Sequence, residues 1–480
     1  MSLRRDRFHG LLSVTNRFIT SKRWEKESHR MKPQQKFLSG VRCHIPWRTN
    51  LWLIPGLLVA SSLVLFTVTQ IIDRAQFNGV IQLPRWVNQG GASDCLALVA
   101  ATAGAIITTL GLVLSITVLI FSAAATQFGQ RLLRRYMRDR GTQTCIGIFS
   151  ATFVFALLTL LSITARPGER EYVPWVSALV SIALALSCVA VLIYFIHHVA
   201  LAIQVNTVLT EIGGDLSRTL GELTSKPAEI PVAPVIFEPQ FTLRASASGY
   251  LQWIDYHILV NAARDTDTIV KLDHRPGRYV LEGSVIATGM FDPGYDVHQE
   301  APAMLARVFQ RAVNIGPRRT MRQDPEFAIA QFVEIGLRAM SPAVNDPNTM
   351  LSCLDYLSAG FMELLRNPSY SFSHCDSNGQ LRVIAKRVSF ERMLAAGLNP
   401  IRQVAHDSVA VTIRIFHTIS ALVPFLKTPA QVEELKAQAD LTREGFITTA
   451  ASRDADDVDR AYAAAKQALA AATHADVAKP

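Results

Sequence analysis

The chain has 480 residues, of which 49% are hydrophobic and only 18% charged, and its formal net charge is +9. That balance suits a membrane region joined to a sizeable soluble one. The whole excess lies in residues 1–50, where 12 Lys/Arg stand against Asp6, Glu25 and Glu27; the rest of the chain is neutral, which excludes an electrostatic case for nucleic-acid binding.

The basic arm, residues 1–50, reads as a cytoplasmic topology determinant that holds to anionic lipid headgroups. No short apolar run precedes Leu51, so a cleaved signal peptide is not expected. The first membrane span is Leu51–Ile72, with Pro55-Gly56 in its first turn, where a missing amide costs little. Residues 73–94 follow as a mixed loop. The second span runs from Cys95 to Thr126 without a single charge and passes straight into an arginine-rich segment. A bilayer needs only about 20 apolar residues, so this stretch is long enough with some to spare. The third span is Thr144–Ala165 and the fourth Val173–Val199, which ends on His197-His198.

Loop cations set the expected orientation. The N-terminal arm has 12 and the 127–143 loop has five, against two in each opposite loop. The positive-inside rule then places both termini in the cytoplasm. The expected fold class is a membrane α-helical bundle of four transmembrane helices within residues 51–200, followed by a cytoplasmic α+β region.

Beyond the membrane, residues 201–239 read as an amphipathic connector, Leu201–Leu223, and a linker carrying Pro227, Pro231, Pro234 and Pro239. Residues 240–292 turn to short alternating strands, a small β-module. Residues 293–453 read as helical. The expected helices include Ala301–Ile315, two that open at Asp324-Pro325 and Asp346-Pro347, one near Pro400–Phe425 and one near Pro429–Ala451. An Ala-rich helical tail, 454–480, closes the chain.

Three constellations stand out. In the second span Ala97, Ala101, Gly104, Thr108, Gly111, Ser115, Val118 and Ser122 recur at steps of four and three, which keeps them on one helix face. Gly104, Thr108, Gly111, Ser115 and Ser122 then form either a close helix-packing seam or a hydroxyl-lined pore wall. Arg131, Arg134, Arg135 and Arg138 are candidates for lipid-headgroup or anion contact, beside their plain role as an orientation signal. In the soluble region, Asn345 and Asp346, with Arg322 upstream, form a candidate ligand corner; the alternative is a tight helix connector with Asp346 as N-cap. No Asp, Glu, Lys or Arg falls deep inside the four spans as drawn, which weighs against an ion-coupled transporter. The six cysteines are scattered without a Cys-x-x-Cys pair, and no catalytic motif is present, so no metal, cofactor or catalytic residue is expected.

Several of these segments together carry a resemblance. Ser115 to Phe128, then Arg131-Leu132-Leu133-Arg134 and Met137-Arg138-Asp139-Arg140, are similar to an uncharacterised family of bacterial predicted membrane proteins, domain-of-unknown-function family 2254. Gln323-Asp324-Pro325-Glu326-Phe327 and Ser341-Pro342-Ala343-Val344-Asn345-Asp346-Pro347 extend the likeness, which runs from about residue 50 to about 430. The resemblance implies a four-span bacterial membrane protein and brings no activity with it. A weaker one links Ser248-Gly249-Tyr250 and the run Arg275–Ile286 to the hammerhead of biotinyl- and lipoyl-type domains, although Lys271 lacks the turn that would display a modified lysine. The expected function is a homo-oligomeric inner-membrane channel or passive transport protein with a cytoplasmic regulatory collar. The alternative is a membrane-anchored signalling or scaffold protein.

Overall fold

The computed structural model describes residues 52–81, 84, 91–128, 139–163, 172–202, 204–224, 237–291, 300–366, 373–386, 388–446 and 452–475. The basic arm, the proline-rich linker 225–236 and the Arg131–Arg138 block lie outside the described residues.

Among the described residues, four helices are long and apolar enough to cross a membrane: α1 (Leu53–Phe77), α2 (Ala92–Phe128), α3 (Arg140–Ser162) and α4 (Trp175–Ala202). Their interior is packed from alternating faces. Ile106, Leu110 and Val113 of α2 meet Cys145, Ile146 and Phe149 of α3 and Cys188 and Phe195 of α4. Between α1 and α3 the packing is closer still, because Gly147 presents no side chain to Leu58 and Pro55. The first helix is longer than the sequence reading drew it. It continues five residues past Ile72, so Asp73 and Arg74, read as loop, are helical. Charge alone does not end a helix, and the next breaker, Gly79 at φ 77°, comes after Phe77. An ionisable pair therefore lies near the end of the first membrane helix, and the deep part of each span has no Asp, Glu, Lys or Arg.

The chain divides into two compact units. The larger holds the described parts of residues 45–235, 320–374 and 385–480; the smaller holds residues from 236–319 and 375–384. In the larger unit the membrane helices are continuous with a helical core made by α5 (Val205–Thr224), α8 (Pro325–Ala339), α9 (Pro347–Arg366), α10 (Phe390–Val404), α11 (Val409–Leu422), α12 (Pro429–Gly445) and α13 (Ser452–Ala475). That core is apolar and well filled: Leu209, Ile212 and Leu216 of α5 pack with Phe332, Met350, Leu357, Phe361, Leu394 and Phe416. Ala124, near the end of α2, belongs to the same cluster. The stretch read as one helix from Pro400 is two helices. The first starts ten residues earlier, where the Ser389 hydroxyl accepts the Arg392 amide at 3.3 Å, and it contains Pro400 in its third turn. Helix α12 opens on a capping box, Thr428 with Gln431.

The smaller unit contains β1 (Phe241–Arg244), β2 (Gly249–Ile254), α6 (Tyr256–Asp265), β3 (Thr268–Leu272), β4 (Tyr279–Val280), β5 (Val285–Phe291), α7 (Ala301–Ala312), β6 (Val313–Gly316) and β8 (Leu381–Ile384). With β7 (Ser373–Cys375) the strands form a five-stranded sheet ordered β1-β5-β3-β8-β7 and a three-stranded sheet ordered β4-β2-β6. Residues 293–453, read as helical throughout, therefore supply three strands. Each of these has only three or four residues, too short for alternation to register. The expected helix Ala301–Ile315 ends at Ala312 for the same reason: its last residues are β6. The turn glycines of the hammerhead likeness are present at Gly277 (φ 93°) and Gly283 (φ 77°). Gly249 instead lies within β2, where the Gly316 carbonyl of β6 would be 2.8 Å from an added Cβ. Lys271 is an exposed residue of β3, with its ammonium 5.5 Å from the Phe237 ring.

Candidate functional site

The small-residue face of α2 is on the outside of this chain's own bundle. Gly104, Thr108, Gly111, Ser115 and Ser122 are exposed, whereas the opposite face, through Val99, Ala103, Ile106, Leu110 and Val113, is buried. A Cβ added at Gly104 or Gly111 would meet nothing within 4 Å. The hydroxyls turn inward to their own helix: Thr108 donates to the Gly104 carbonyl and Ser115 to the Gly111 carbonyl, both at 2.8 Å. The face is thus neither a seam between helices of one chain nor the wall of a cavity within it. Among the described residues, no helix packs on its stretch from Gly104 to Ser115, which is exposed and of low relief.

The residues of the candidate corner come from opposite ends of one helix. Arg322 precedes α8, while Asn345 and Asp346 follow it, and that helix has 15 residues, which sets the two ends about 20 Å apart. Asp346 is occupied as an N-cap of α9, accepting the Thr349 amide at 3.2 Å and the Thr349 hydroxyl at 2.6 Å. Those bonds, the Thr349 hydroxyl first, hold its carboxyl below the usual carboxylate range. Asn345 takes a left-handed turn at φ 48°, its amide bonded to the Ser341 carbonyl at 2.9 Å. The segment is a tight connector between α8 and α9.

Two polar constellations in the membrane bundle escaped the sequence reading. At one end, Asp73 of α1 is only 2% exposed and receives the start of α4. Its Oδ1 accepts the Val176 amide at 2.9 Å, and its Oδ2 accepts the Ser177 amide at 3.0 Å and shares a 2.6 Å hydrogen bond with the Ser177 hydroxyl. Gln70, one turn earlier, donates to Ser162 of α3 at 3.0 Å and accepts from the Tyr172 hydroxyl at 2.9 Å. A carboxylate at the amino end of α4 meets free amides and the positive end of the helix dipole. The sequence did hold a signal for this cluster: Thr69, Gln70 and Asp73 share a face at helical spacing, as do Ser177 and Ser181 on α4.

At the other end, Asp139 caps α3 and reaches α4. Its carboxylate accepts the Gly141 amide at 3.3 Å and the Thr142 amide at 2.9 Å, and its Oδ2 lies 2.7 Å from His198 Nε2. Gly141 makes room for the imidazole, since a Cβ there would stand 2.5 Å from Nε2, and Tyr194 stacks on the ring with centroids 5.5 Å apart. Burial disfavours the charged carboxyl, but the bonds from Thr142 and His198 outweigh it and hold Asp139 below its usual range. Its contribution to stability is therefore complete above the ordinary Asp value of about 4 and is lost as pH falls through the depressed folded value. Asp139→Ala is expected to cost about 0.5–2 kcal/mol as a lost cap. Thermal unfolding of the solubilised full-length chain measures it, and the deficit should vanish in strong acid, where the wild-type carboxyl is protonated too.

Among the described residues no group of three or more His, Cys, Asp or Glu is arranged to hold a metal ion.

The comparisons agree with this architecture. The model of a family described as predicted membrane protein (DUF2254) matches residues 48–421. Uncharacterized proteins of Mycobacterium bovis and Mycobacterium tuberculosis are each 31% identical to the chain over 409 residues, which is 82% of this chain and 73% of theirs. No solved structure matches. With four candidate spans, bacterial relatives and a match over most of its length, the chain belongs to the DUF2254 family of predicted membrane proteins.

Proposed function

We propose that the protein is a homo-oligomeric channel or passive transport protein of the bacterial inner membrane, with both termini and the soluble domains in the cytoplasm. One observation carries the reading. Helix α2 has 37 residues, about 55 Å of helix, whereas the hydrocarbon core is about 30 Å thick. Its far end is built into the soluble helical core through Ala124. A displacement of the soluble helices is therefore transmitted along a rigid element into the bilayer. That same element carries the outward strip of Gly104, Thr108, Gly111, Ser115 and Ser122. Small residues let helix backbones approach where lipid supplies no hydrophobic drive, so the strip suits contact with a second copy around a shared axis. The interior of the single bundle is largely filled by apolar side chains such as Ile106, Leu110, Val113, Ile146 and Phe149, which favours a pathway between copies over one through each. Arg131, Arg134, Arg135 and Arg138 would then ring the inner mouth, in contact with anionic headgroups or permeating anions.

The test is flux from proteoliposomes containing the full-length chain, under voltage, membrane tension and osmotic shift. The expected result is ion or solute release that depends on the protein. If no flux appears under any of the three, while the oligomer persists, the conduction reading fails and a signalling or scaffold role of the same coupled architecture takes its place.

A further inference from the structure

The cluster around Asp73 contains more oxygen contacts than its hydroxyl hydrogens can fill. Three contacts run in series. Ser177 Oγ lies 2.6 Å from Asp73 Oδ2, Ser177 Oγ lies 2.9 Å from Thr69 Oγ1, and Thr69 Oγ1 lies 3.0 Å from the Phe66 carbonyl oxygen. Each is a hydrogen-bonding distance between oxygens, and filling all three at once takes three hydrogens. Ser177 and Thr69 supply only two. A proton on Asp73 supplies the third. The acid then donates to Ser177, Ser177 to Thr69, and Thr69 to the Phe66 carbonyl. In that state Ser177 Oγ is fully used: it donates once and accepts twice, the second time from Gln70 Nε2 at 3.4 Å.

We propose that Asp73 is a reversible proton-binding site, and that the Ser177–Thr69 hydroxyl chain reverses direction when the proton leaves. With the carboxylate ionised, Ser177 donates to Asp73 and Thr69 turns to Ser177, releasing the Phe66 carbonyl to its helical bond alone. The proton passes to water at that end of the bundle, and one negative charge remains on the buried carboxylate. No covalent bond other than O–H is made or broken.

The surroundings fit a site that changes charge. The described interactions of the carboxylate are with Val176 and Ser177, and none is an ion pair. Among the described residues, the ionisable groups that face it are few. Arg74 follows it on α1 and is engaged with Tyr172. Tyr172, just before α4, is bonded to Gln70. Cys95 comes from α2 and is fully buried, while Asp94 beside it accepts the Gly91 amide at 3.1 Å. Helix α3 contributes Ser162 and no ionisable group. One turn further along α4, Ser181 is 0% exposed and its hydroxyl has no hydrogen-bond partner. It extends the polar face of Ser177 toward the middle of the bundle and offers the next acceptor for a water or a proton.

Infrared difference spectroscopy of the full-length protein in lipid nanodiscs, between acidic and alkaline buffer, tests the assignment. The wild type should show the carbonyl stretch of a buried carboxylic acid that disappears in alkali. Asp73→Asn should lack that band, and Ser177→Ala should keep it at a shifted frequency, because the acid loses its acceptor. A wild-type spectrum without the band, or a band unchanged by Asp73→Asn, would make Asp73 a permanently ionised helix cap. Should Asp73→Asn fail to fold, Ser177→Ala decides alone: a band that does not move overturns the proposal.

Discussion

Arg382→Ala is expected to destabilise the smaller unit by on the order of 3–5 kcal/mol, the cost of stranding one partner of a buried ion pair. The side chains of Arg382 and Asp376 are 2% and 1% exposed, with Nε donating to Asp376 Oδ2 at 2.9 Å. Asp267 adds a weaker contact at 3.8 Å. Asp376 organises the turn between β7 and β8, accepting the amides of Asn378 at 2.9 Å and Gln380 at 3.1 Å. Since β8 is held beside β3 by parallel pairing, Val270 with Val383 and Lys271 with Ile384, loss of the pair releases the strand that lies between β3 and β7. Hydrogen exchange of peptides covering 268–272 and 381–384 in the full-length chain reads this directly. Fast exchange there, with α9 and α11 still protected, is the expected pattern. Uniform protection would mean that the turn holds without its cation. The double change Asp376→Ala with Arg382→Met should recover much of the loss, because it removes both charges and keeps most of the volume.

The acid dependence follows with a definite sign. Burial works against the Asp376 carboxylate, but the bonds from Arg382, Gln380 and Asn378 prevail, so its folded value lies below the usual range. The stabilisation is complete above about pH 4, the unfolded value, and is lost as pH falls through the depressed one. The gap between wild type and Arg382→Ala should therefore be constant at neutral pH and close in acid.

What was legible in the sequence divides along one physical line. Burying some 20 apolar residues in lipid leaves a signal that no neighbouring element can override, so the four spans were readable as spans. Helix starts at a proline were readable too, at Pro325 and Pro347, although of the two preceding aspartates Asp346 caps its helix with the side chain and Asp324 makes no side-chain cap bond. Contacts between residues far apart in the chain were not. The pairing of β3 with β8 joins residues more than 100 positions apart, although Asn378-Gly379, with Gly379 at φ 77°, was a recognisable hairpin turn. The Asp73 cluster was missed because a charge was taken to end a span. The strip on α2 was seen correctly as a face, but periodicity says only that residues share a side, not what that side meets.

Two membrane glycines should respond in opposite ways to the same change. Gly147→Leu is expected to prevent the bundle from closing. A Cβ at that position would lie 2.6 Å from Leu58 Cδ1 and 3.0 Å from the Pro55 Cα, and the second of these is backbone that does not yield. Overpacking of even modest size costs about 1–3 kcal/mol, and a whole leucine against a helix backbone exceeds that range. Gly111→Leu, with open space around its Cβ, should leave the fold and melting temperature of the single chain unchanged. Its effect should be on assembly: the leucine stands proud of the strip formed with Gly104, Thr108 and Ser115, and a second α2 is then kept from close approach. Gel filtration with light scattering in a mild detergent separates the cases. Gly147→Leu should aggregate or fail to insert, whereas Gly111→Leu should run as a well-folded species of lower mass than wild type, and liposomes containing it should lose flux. An unchanged oligomer in Gly111→Leu would remove the α2 strip as the seam between copies. Any pathway would then be sought at another face.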